Sequence, residues 1–476
     1  MAASANLPVL DVTVDPGSPS EEKEKAVRDI ARRLMPAWQH VQEQELQVTT
    51  ISGGITNLIF KVQLGKEQEE MKGKGQNREA SFKGGGDSSS QSEAITVRIY
   101  GPDTDKIINR SREWEALRAL STANFGPRLI GSFTNGTVQT YLPGRTLTPP
   151  EMCTPPLSHL IAAQLHRLHH LDVPLGSEEE RKEGHLWHSD TDAFTDAYTD
   201  AFTVAFTDAF TDAFTDAFTD AFTDAFTDAF TDAFTDAFTD AYTDAFTDAF
   251  TDAFTDAGDQ QPLPASSSRL ARCHQAPSAE KLKYDDPKLQ TRFDSIDFAK
   301  LRSEIQEAKE LTDRLHSPIV FAHNDLLAYN LLLDESQPGA PVMHMIDFEY
   351  AAYNPRGYDI ANHFCEYAGF ECEYSRFPSK AHQHDFFRHY LHPTAPEKAS
   401  QEDLDRLYLE VNAFTLASHF FWCLWSLIQA KYSAIDFNYM DYFFVRYGVY
   451  QKRKEEDVAL VEAYLSNQKL QTSIVV

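Results

Sequence analysis

Phe321-Ala322-His323-Asn324-Asp325-Leu326-Leu327-Ala328-Tyr329-Asn330 carries the sharpest chemical signal in the chain. It holds His-x-Asp, four residues, then Asn. A carboxylate and a carboxamide five residues apart can face each other across a short loop. Together they supply an acceptor for a hydroxyl proton and hard oxygen ligands for Mg2+, the needs of phosphoryl transfer to a hydroxyl. Asp325 is the expected proton acceptor and Asn330 an expected metal ligand. Polar loops before strands are common, so this stretch decides little alone.

The next acid downstream sharpens it. Two short apolar runs, 330–333 and 342–346, flank the turn-rich 334–341 and read as a hairpin. His344-Met345-Ile346-Asp347-Phe348-Glu349-Tyr350 follows, placing Asp347 seventeen residues past Asn330. Kinases put a metal-binding Asp at this place, as Asp-Phe-Gly; here the form is Asp-Phe-Glu. Asp325, Asn330 and Asp347 are the expected catalytic set, with Asn330 and Asp347 holding Mg2+.

Upstream lies a strand-rich region. Residues 46–51 alternate, Ser52-Gly53-Gly54 breaks the run, and 55–64 resumes it, as strand, glycine turn and strand. Backbone N–H groups at Gly53 and Gly54 can approach phosphate, and Ser52, Thr56 and Asn57 add donors. Any hairpin can carry Gly-Gly, so this signal is weak by itself. A third strand over 94–100 offers Arg98 where kinases place Lys, and a permanently charged guanidinium can fork onto phosphate. Glu113, on a helix expected over 106–123, is its expected ion-pair partner; an ordinary surface pair is the plainer alternative. Residues 129–133 and 137–142 read as a hairpin turning at Asn135-Gly136. An amphipathic pattern (Val27, Ile30, Leu34, Trp38) predicts a helix ending near Glu43.

The 476 residues have a net charge of −29, but residues 191–256 repeat Thr-Asp-Ala-Phe and hold 16 Asp and no base. Taking those charges out leaves −13, which argues against nucleic acid or anionic lipid as partner. A period of four turns a helix by about 400°, so the Phe stripe drifts around it and holds no buried face. The repeat reads as an inserted low-complexity segment. Five cysteines without a C-x-x-C pair fit reduced thiols in the cytoplasm. No signal peptide is expected. The apolar run 413–428 is short for a bilayer span and reads as a buried helix, so no transmembrane segment is expected. The expected organisation is an N-terminal extension with a helix (1–45), a nucleotide-side lobe (46–145) with a polar insert (65–93), a mainly helical catalytic lobe (146–190 and 280–466), and repeat plus linker (191–279).

Taken together, these motifs resemble the choline/ethanolamine kinase family. The carriers are Ile51-Ser52-Gly53-Gly54-Ile55-Thr56-Asn57, Val97-Arg98-Ile99-Tyr100-Gly101, the 323–330 loop, and Ile346-Asp347-Phe348-Glu349-Tyr350. To these add Asn354-Pro355-Arg356-Gly357-Tyr358-Asp359-Ile360-Ala361-Asn362-His363-Phe364 and Ala417-Ser418-His419-Phe420-Phe421-Trp422-Cys423-Leu424-Trp425. They occur in the family's order over roughly 45–170 and 290–455. The resemblance implies a two-lobed α+β fold like that of protein kinases. It implies transfer of the γ-phosphoryl of ATP, with Mg2+, to a small amino alcohol. Asp325 would be the catalytic Asp, Asn330 and Asp347 the metal ligands, and Arg98 with Glu113 the ATP-side pair.

The resemblance places Glu366 at the substrate's ammonium group. Trp422 and Trp425 are i, i+3 neighbours whose ring faces attract a cation; two such Trp are otherwise ordinary core. Phe437 and Tyr442 are expected to complete the wall. Leu326-Leu327 and Glu366-Tyr367-Ala368-Gly369-Phe370 resemble the ethanolamine branch. Physically the choice stays open. A primary ammonium wants acceptors and a trimethylammonium wants aromatic faces, and these residues offer both. With ethanolamine as substrate, the product would be phosphoethanolamine, first in the CDP-ethanolamine route to phosphatidylethanolamine. Choline kinase, or a dual activity, is the alternative; a non-catalytic scaffold is the alternative of another class. Expected partners are ATP and ethanolamine; the sequence does not fix the oligomeric state, and a homodimer is one candidate. Tyr329 departs from the smaller residues usual before the Asn.

Overall fold

The computed structural model describes residues 7–51, 57–65, 94–101, 104, 108–184, 186, 284–433 and 435–474. Ser52, Gly53, Gly54, Thr56, the insert from residue 66 to 93, and the repeat and linker of 191–279 lie outside them. The described residues fall into two units, those up to 186 with 301–474, and 284–300. In the shorter unit, Asp286 caps the helix Pro287–Asp294 by accepting from the Lys288 N–H at 2.8 Å.

In the larger unit the chain begins with β1 (Val9–Leu10) and α1 (Ser20–Leu34), then β2 (Leu46–Ile51), β3 (Asn57–Leu64) and β4 (Ile95–Tyr100). Next come α2 (Arg110–Thr122), β5 (Leu129–Phe133), β6 (Gly136–Thr140) and β7 (Arg145–Thr146). Six of these strands form one sheet in the order β1-β5-β6-β4-β3-β2, antiparallel except for β1 beside β5. The register Ile59↔Arg98 sets Arg98 within the sheet rather than at its rim. Asn109 caps α2 by accepting from Arg112 N–H at 3.1 Å, which fixes Glu113 in its first turn.

One expectation for the N-terminal part needs correcting. The helix expected to reach Glu43 ends at Leu34, because Pro36 forces Met35 into an extended conformation (φ −96°, ψ 106°); two 3₁₀ turns follow. α1 packs on the sheet. Val27, Ile30, Ala31 and Leu34 of α1 are buried in one core with Phe60, Val62, Val97 and Ile99 of the sheet. At ~1.5–3 kcal/mol for each large apolar side chain buried, α1 is part of what holds this lobe together.

The second lobe contains α3 (Pro155–His169), α4 (Phe298–Asp313), β8 (Ile319–Ala322), β9 (Leu331–Asp334), β10 (Val342–Met345) and β11 (Ala352–Pro355). It continues with α5 (Arg356–Cys365), α6 (Lys380–Leu391), α7 (Gln401–Tyr432) and α8 (Tyr439–Ile474). The hairpin expected around 334–341 is present: β9 pairs β10 with Leu331 opposite Met345, and β7 pairs the other edge of β9. β8 pairs antiparallel with β11, so the loop leaving β8 lies beside the chain entering α5. α7 is long and apolar enough to cross a membrane, but its apolar window is 94% buried within the fold. It is the central core helix, as read from 413–428.

Candidate active site

The 323–330 loop owes its shape to Asp359 on α5, which is fully buried. Its Oδ2 accepts from the His323 backbone N–H at 2.9 Å and from His169 Nε2 at 2.9 Å; its Oδ1 accepts from the Asn324 N–H at 2.7 Å. Burial lowers the pKa of His169 despite Asp359 beside it, so the ring is neutral. Nε2 therefore carries the proton, and Nδ1 accepts from the Tyr390 hydroxyl at 2.8 Å. Burial alone would raise Asp359, but the hydrogen bonds from His169 and from the His323 backbone N–H hold it below the ordinary carboxylate value. Asn324 sits in the left-handed region (φ 64°), which asparagine tolerates better than most residues. Its side chain donates to the Tyr350 carbonyl at 2.8 Å and accepts from Asn354 at 2.9 Å.

This scaffold brings Asp325 and Asn330 together. Asn330 Nδ2 donates to the Asp325 backbone carbonyl at 2.8 Å and to its Oδ2 at 3.1 Å. The Oδ1 atom of Asp325 is buried without a hydrogen-bond partner. Burial pushes the Asp325 carboxyl well above the usual range, and the charges of Glu366, Asp347 and Glu349 push it further.

Arg98 ties three acids together. Its Nη1 is 3.1 Å from Glu113, and its Nη2 is 2.9 Å from Asp347 and 2.5 Å from Glu349. Burial alone would lower its pKa, but Asp347, Glu113 and Glu349 outweigh this and raise it. Arg110 also reaches Glu113 at 2.7 Å and Glu349 at 3.5 Å, with its guanidinium over the Tyr100 ring. Asn57, expected as a phosphate donor, spends Nδ2 on Glu349 at 3.2 Å. The expected Arg98–Glu113 pair is present, inside a larger network in which Glu349 is the shared acceptor.

Asp325, Asn330 and Asp347 open onto a cavity of about 450 Å3 that Glu366, Trp422, Trp425, Phe437 and Tyr442 also line. All residues expected to contact the amino alcohol thus share one cavity. Trp422 and Trp425 meet edge to face, 5.2 Å between centroids, as i, i+3 neighbours on α7. Their N–H groups are used elsewhere, Trp422 on Asn362 Oδ1 at 2.6 Å and Trp425 on the Tyr350 hydroxyl at 3.0 Å. Glu366 lies just past α5, where burial raises its pKa against the pull of Arg446, 3.4 Å away. Tyr329 is 46% exposed and stacks on Phe370 at the edge of the cavity, which both rings line.

The sequence reading missed Arg446, Tyr350, Tyr439, Asn362 and the His169–Asp359 pair. Arg446 left a trace, a lone base inside the aromatic run 442–450. Tyr350 lies three residues past Asp347, and the others are joined to the site only by the fold.

The donor set suits a hard divalent cation. Asp325 offers a buried carboxylate oxygen with no hydrogen-bond partner. Asn330 has its amide N–H on Asp325, which leaves its oxygen for a ligand. Asp347 has a side chain 23% exposed to the cavity. Oxygen donors of this kind match Mg2+ and not a softer metal.

A sheet lobe, a helical lobe and an Asp…Asn…Asp set at a cavity with an acid and stacked aromatics define a kinase-like phosphotransferase that acts on an alcohol. The model of the choline/ethanolamine kinase family matches residues 48–224 and 260–451, and the chain belongs to that family. It is 32% identical to a probable ethanolamine kinase of Arabidopsis thaliana over 97% of this chain and 93% of that one. It is 28% identical to ethanolamine kinase 1 of Mus musculus over 96% of each. Among solved structures, a Plasmodium vivax ethanolamine kinase shares the fold with a TM-score of 0.59 and 22% identity, covering 92% of this chain and 91% of that one. A choline kinase from Cryptosporidium parvum shares it with a TM-score of 0.53 and 22% identity, covering 90% and 95%.

Proposed function

We propose that the protein transfers the γ-phosphoryl group of ATP to the hydroxyl of ethanolamine, giving phosphoethanolamine and ADP. The observation that carries the reading is the single cavity that holds Asp325 at one point and Glu366 among aromatic rings at another. An amino alcohol has a hydroxyl for the first and an ammonium for the second. Asp325 accepts the hydroxyl proton as the oxygen bonds to phosphorus and the bond to ADP breaks. Glu366 accepts hydrogen bonds from the ammonium group, and Trp422, Trp425, Phe437 and Tyr442 exclude water around it. Asn330 and Asp347 hold Mg2+, which when bound neutralises charge on the phosphate oxygens. Arg98 and Glu113 order the nucleotide side, with Ser52, Gly53, Gly54 and Thr56 as phosphate donors, while Asn57 supports Glu349. Positioning and charge supply most of the catalysis.

Relatives named ethanolamine kinase over nearly the whole chain support ethanolamine. The aromatic wall favours choline as a second substrate, since a trimethylammonium group needs ring faces and no acceptor. A cytoplasmic enzyme is part of the same reading, in keeping with free thiols at Cys153, Cys365, Cys372 and Cys423. The test is phosphate transfer from ATP with Mg2+ to ethanolamine and choline in competition, on the full chain and on one lacking 191–256. Preference for ethanolamine in both supports the reading. Preference for choline reassigns the substrate, and no turnover in either chain leaves a scaffold.

A further inference from the structure

Away from this cavity, α3 and α6 pack together and bring a second set of ligand-bearing side chains into contact. His159 on α3 has Nε2 2.7 Å from Oδ2 of Asp385 on α6. The rings of His159 and His389 stack with centroids 3.5 Å apart and planes 10° apart. One ligand atom from each of His159, Asp385 and His389 lies within 4.8 Å of the other two. Asp385 and His389 are i, i+4 on one helix and so share a face.

Two further observations point to a ligand. His389 Nδ1 is 3.0 Å from the Asp385 backbone carbonyl and donates to it. That fixes the tautomer with the Nε2 lone pair free, the orientation that metal-bound imidazoles take from their outer partners. His382, one turn earlier on the same helix, has a buried Nε2 with no hydrogen-bond partner.

We propose that His159, Asp385 and His389 form a binding site for a divalent transition-metal ion of the zinc class. Two imidazoles and a carboxylate are donors that favour Zn2+ and its neighbours over Mg2+, which seeks oxygen alone. Bonds of about 2.0–2.2 Å to a common ion require His159 and Asp385 to part and the stacked rings of His159 and His389 to turn, so that their in-plane lone pairs converge. The side chains of His159 and Asp385 are 30% and 42% exposed, which leaves them room to do so and leaves the ion a path in. The ion would tie α3 to α6. These helices also carry His169 and Tyr390, which hold Asp359 behind the 323–330 loop. The site is therefore a clamp on the catalytic lobe and takes no part in phosphoryl transfer.

The test is calorimetric titration of the metal-stripped full chain with Zn2+, in excess Mg2+ to occupy the oxygen ligands of the cavity. The expected result is one tightly bound equivalent that raises the melting temperature. Affinity should weaken by at least about tenfold in His159→Gln and in His389→Gln. Both variants should keep their metal-free melting temperature and their turnover with Mg2+. An equivalent that survives in both variants overturns the proposal, as does an unaltered chain that binds no Zn2+. Co2+ absorption on the unaltered chain is a check that needs no variant. An intense spectrum of low-coordinate nitrogen ligation supports the site, and a weak spectrum of six-coordinate oxygen ligation refutes it.

Discussion

The indole N–H of Trp422 donates to Oδ1 of Asn362 at 2.6 Å, while Nδ2 of the same Asn362 donates to the Asn324 carbonyl at 2.9 Å. One carboxamide thus joins the aromatic wall on α7 to the loop that carries Asp325. Asn362 is fully buried and its oxygen also accepts from Ser418 Oγ at 2.8 Å. Asn362→Ala strands these partners in the core, at about 1–3 kcal/mol for each group left unsatisfied. Denaturant unfolding should show that loss. Steady-state kinetics should show kcat falling and the KM for the amine rising together, because loop and wall shift as one. A change in KM alone would mean that the two halves are not coupled through Asn362.

Arg98 answers to three carboxylates, which makes its replacement asymmetric. Arg98→Ala leaves Glu113, Asp347 and Glu349 without their shared cation, and breaking a buried ion pair from one side costs about 3–5 kcal/mol. Arg98→Lys keeps the charge but loses the fork, since an ammonium cannot reach Glu113 and Asp347 with separate nitrogens in one plane. Thermal melts should rank wild type above Lys and Lys above Ala, and kcat/KM for ATP should follow the same order. Equal melting of Lys and wild type would mean that charge alone is what this position needs.

Much of this was legible beforehand, for a physical reason. Asp325, Asn330 and Asp347 lie in one short stretch of chain, so their spacing alone implied a loop and a hairpin. Trp422 and Trp425 were legible because a helix brings i and i+3 together. Arg98 and Glu113 sit in neighbouring elements and were found as a pair, but Glu349 and Arg110, which complete the network, were not. The His169–Asp359 bond was out of reach because 190 residues separate its ends and only the packing of α3 against β8, beside the start of α5, closes that distance. The end of α1 was misjudged for a local reason: the apolar stripe continues to Trp38, but Pro36 interrupts the backbone that would carry it.

Asp325→Asn should separate stability from activity. The folded pKa of Asp325 lies well above its unfolded value, because the site buries it and sets Glu366, Asp347 and Glu349 near it. A carboxyl raised in this way favours the fold below its unfolded pKa, and that advantage is lost as pH rises through the folded value. Asparagine imitates the neutral form and escapes the loss. In chelator at neutral pH the variant should therefore melt above wild type, with the gap closing as pH falls. Turnover should drop by about 10²–10⁴, the usual worth of a positioned base. A variant that melts lower would show that the carboxylate is already satisfied in the fold.

The same shift predicts a difference between two pH profiles. In the proposed mechanism Asp325 must be ionised to take the hydroxyl proton. In the free enzyme, burial and three neighbouring acids resist ionisation, so the acid limb of kcat/KM should lie above the ordinary carboxylate range. Once an ammonium substrate sits beside Glu366, the field that raises Asp325 weakens. The acid limb of kcat should then lie at lower pH than that of kcat/KM. Coincident limbs would assign the titration to a group that the substrate does not touch.

Glu366 offers the sharpest test of which amine the cavity selects. Its carboxylate is buried, raised in pKa by that burial, and only partly compensated by Arg446 at 3.4 Å. A primary ammonium donates three hydrogen bonds and can use this acceptor directly; a trimethylammonium donates none and feels only its charge. The faces of Trp422 and Trp425 act the other way, worth about 0.5–2 kcal/mol to either cation but the main contact for choline. Glu366→Gln should therefore lower kcat/KM for ethanolamine by more than it lowers that for choline, and Trp425→Leu should reverse the order. Competition assays with both amines on each variant measure the two ratios directly. If Glu366→Gln lowers both amines equally, Glu366 serves through its charge alone, and selection for ethanolamine rests on the shape of the aromatic wall.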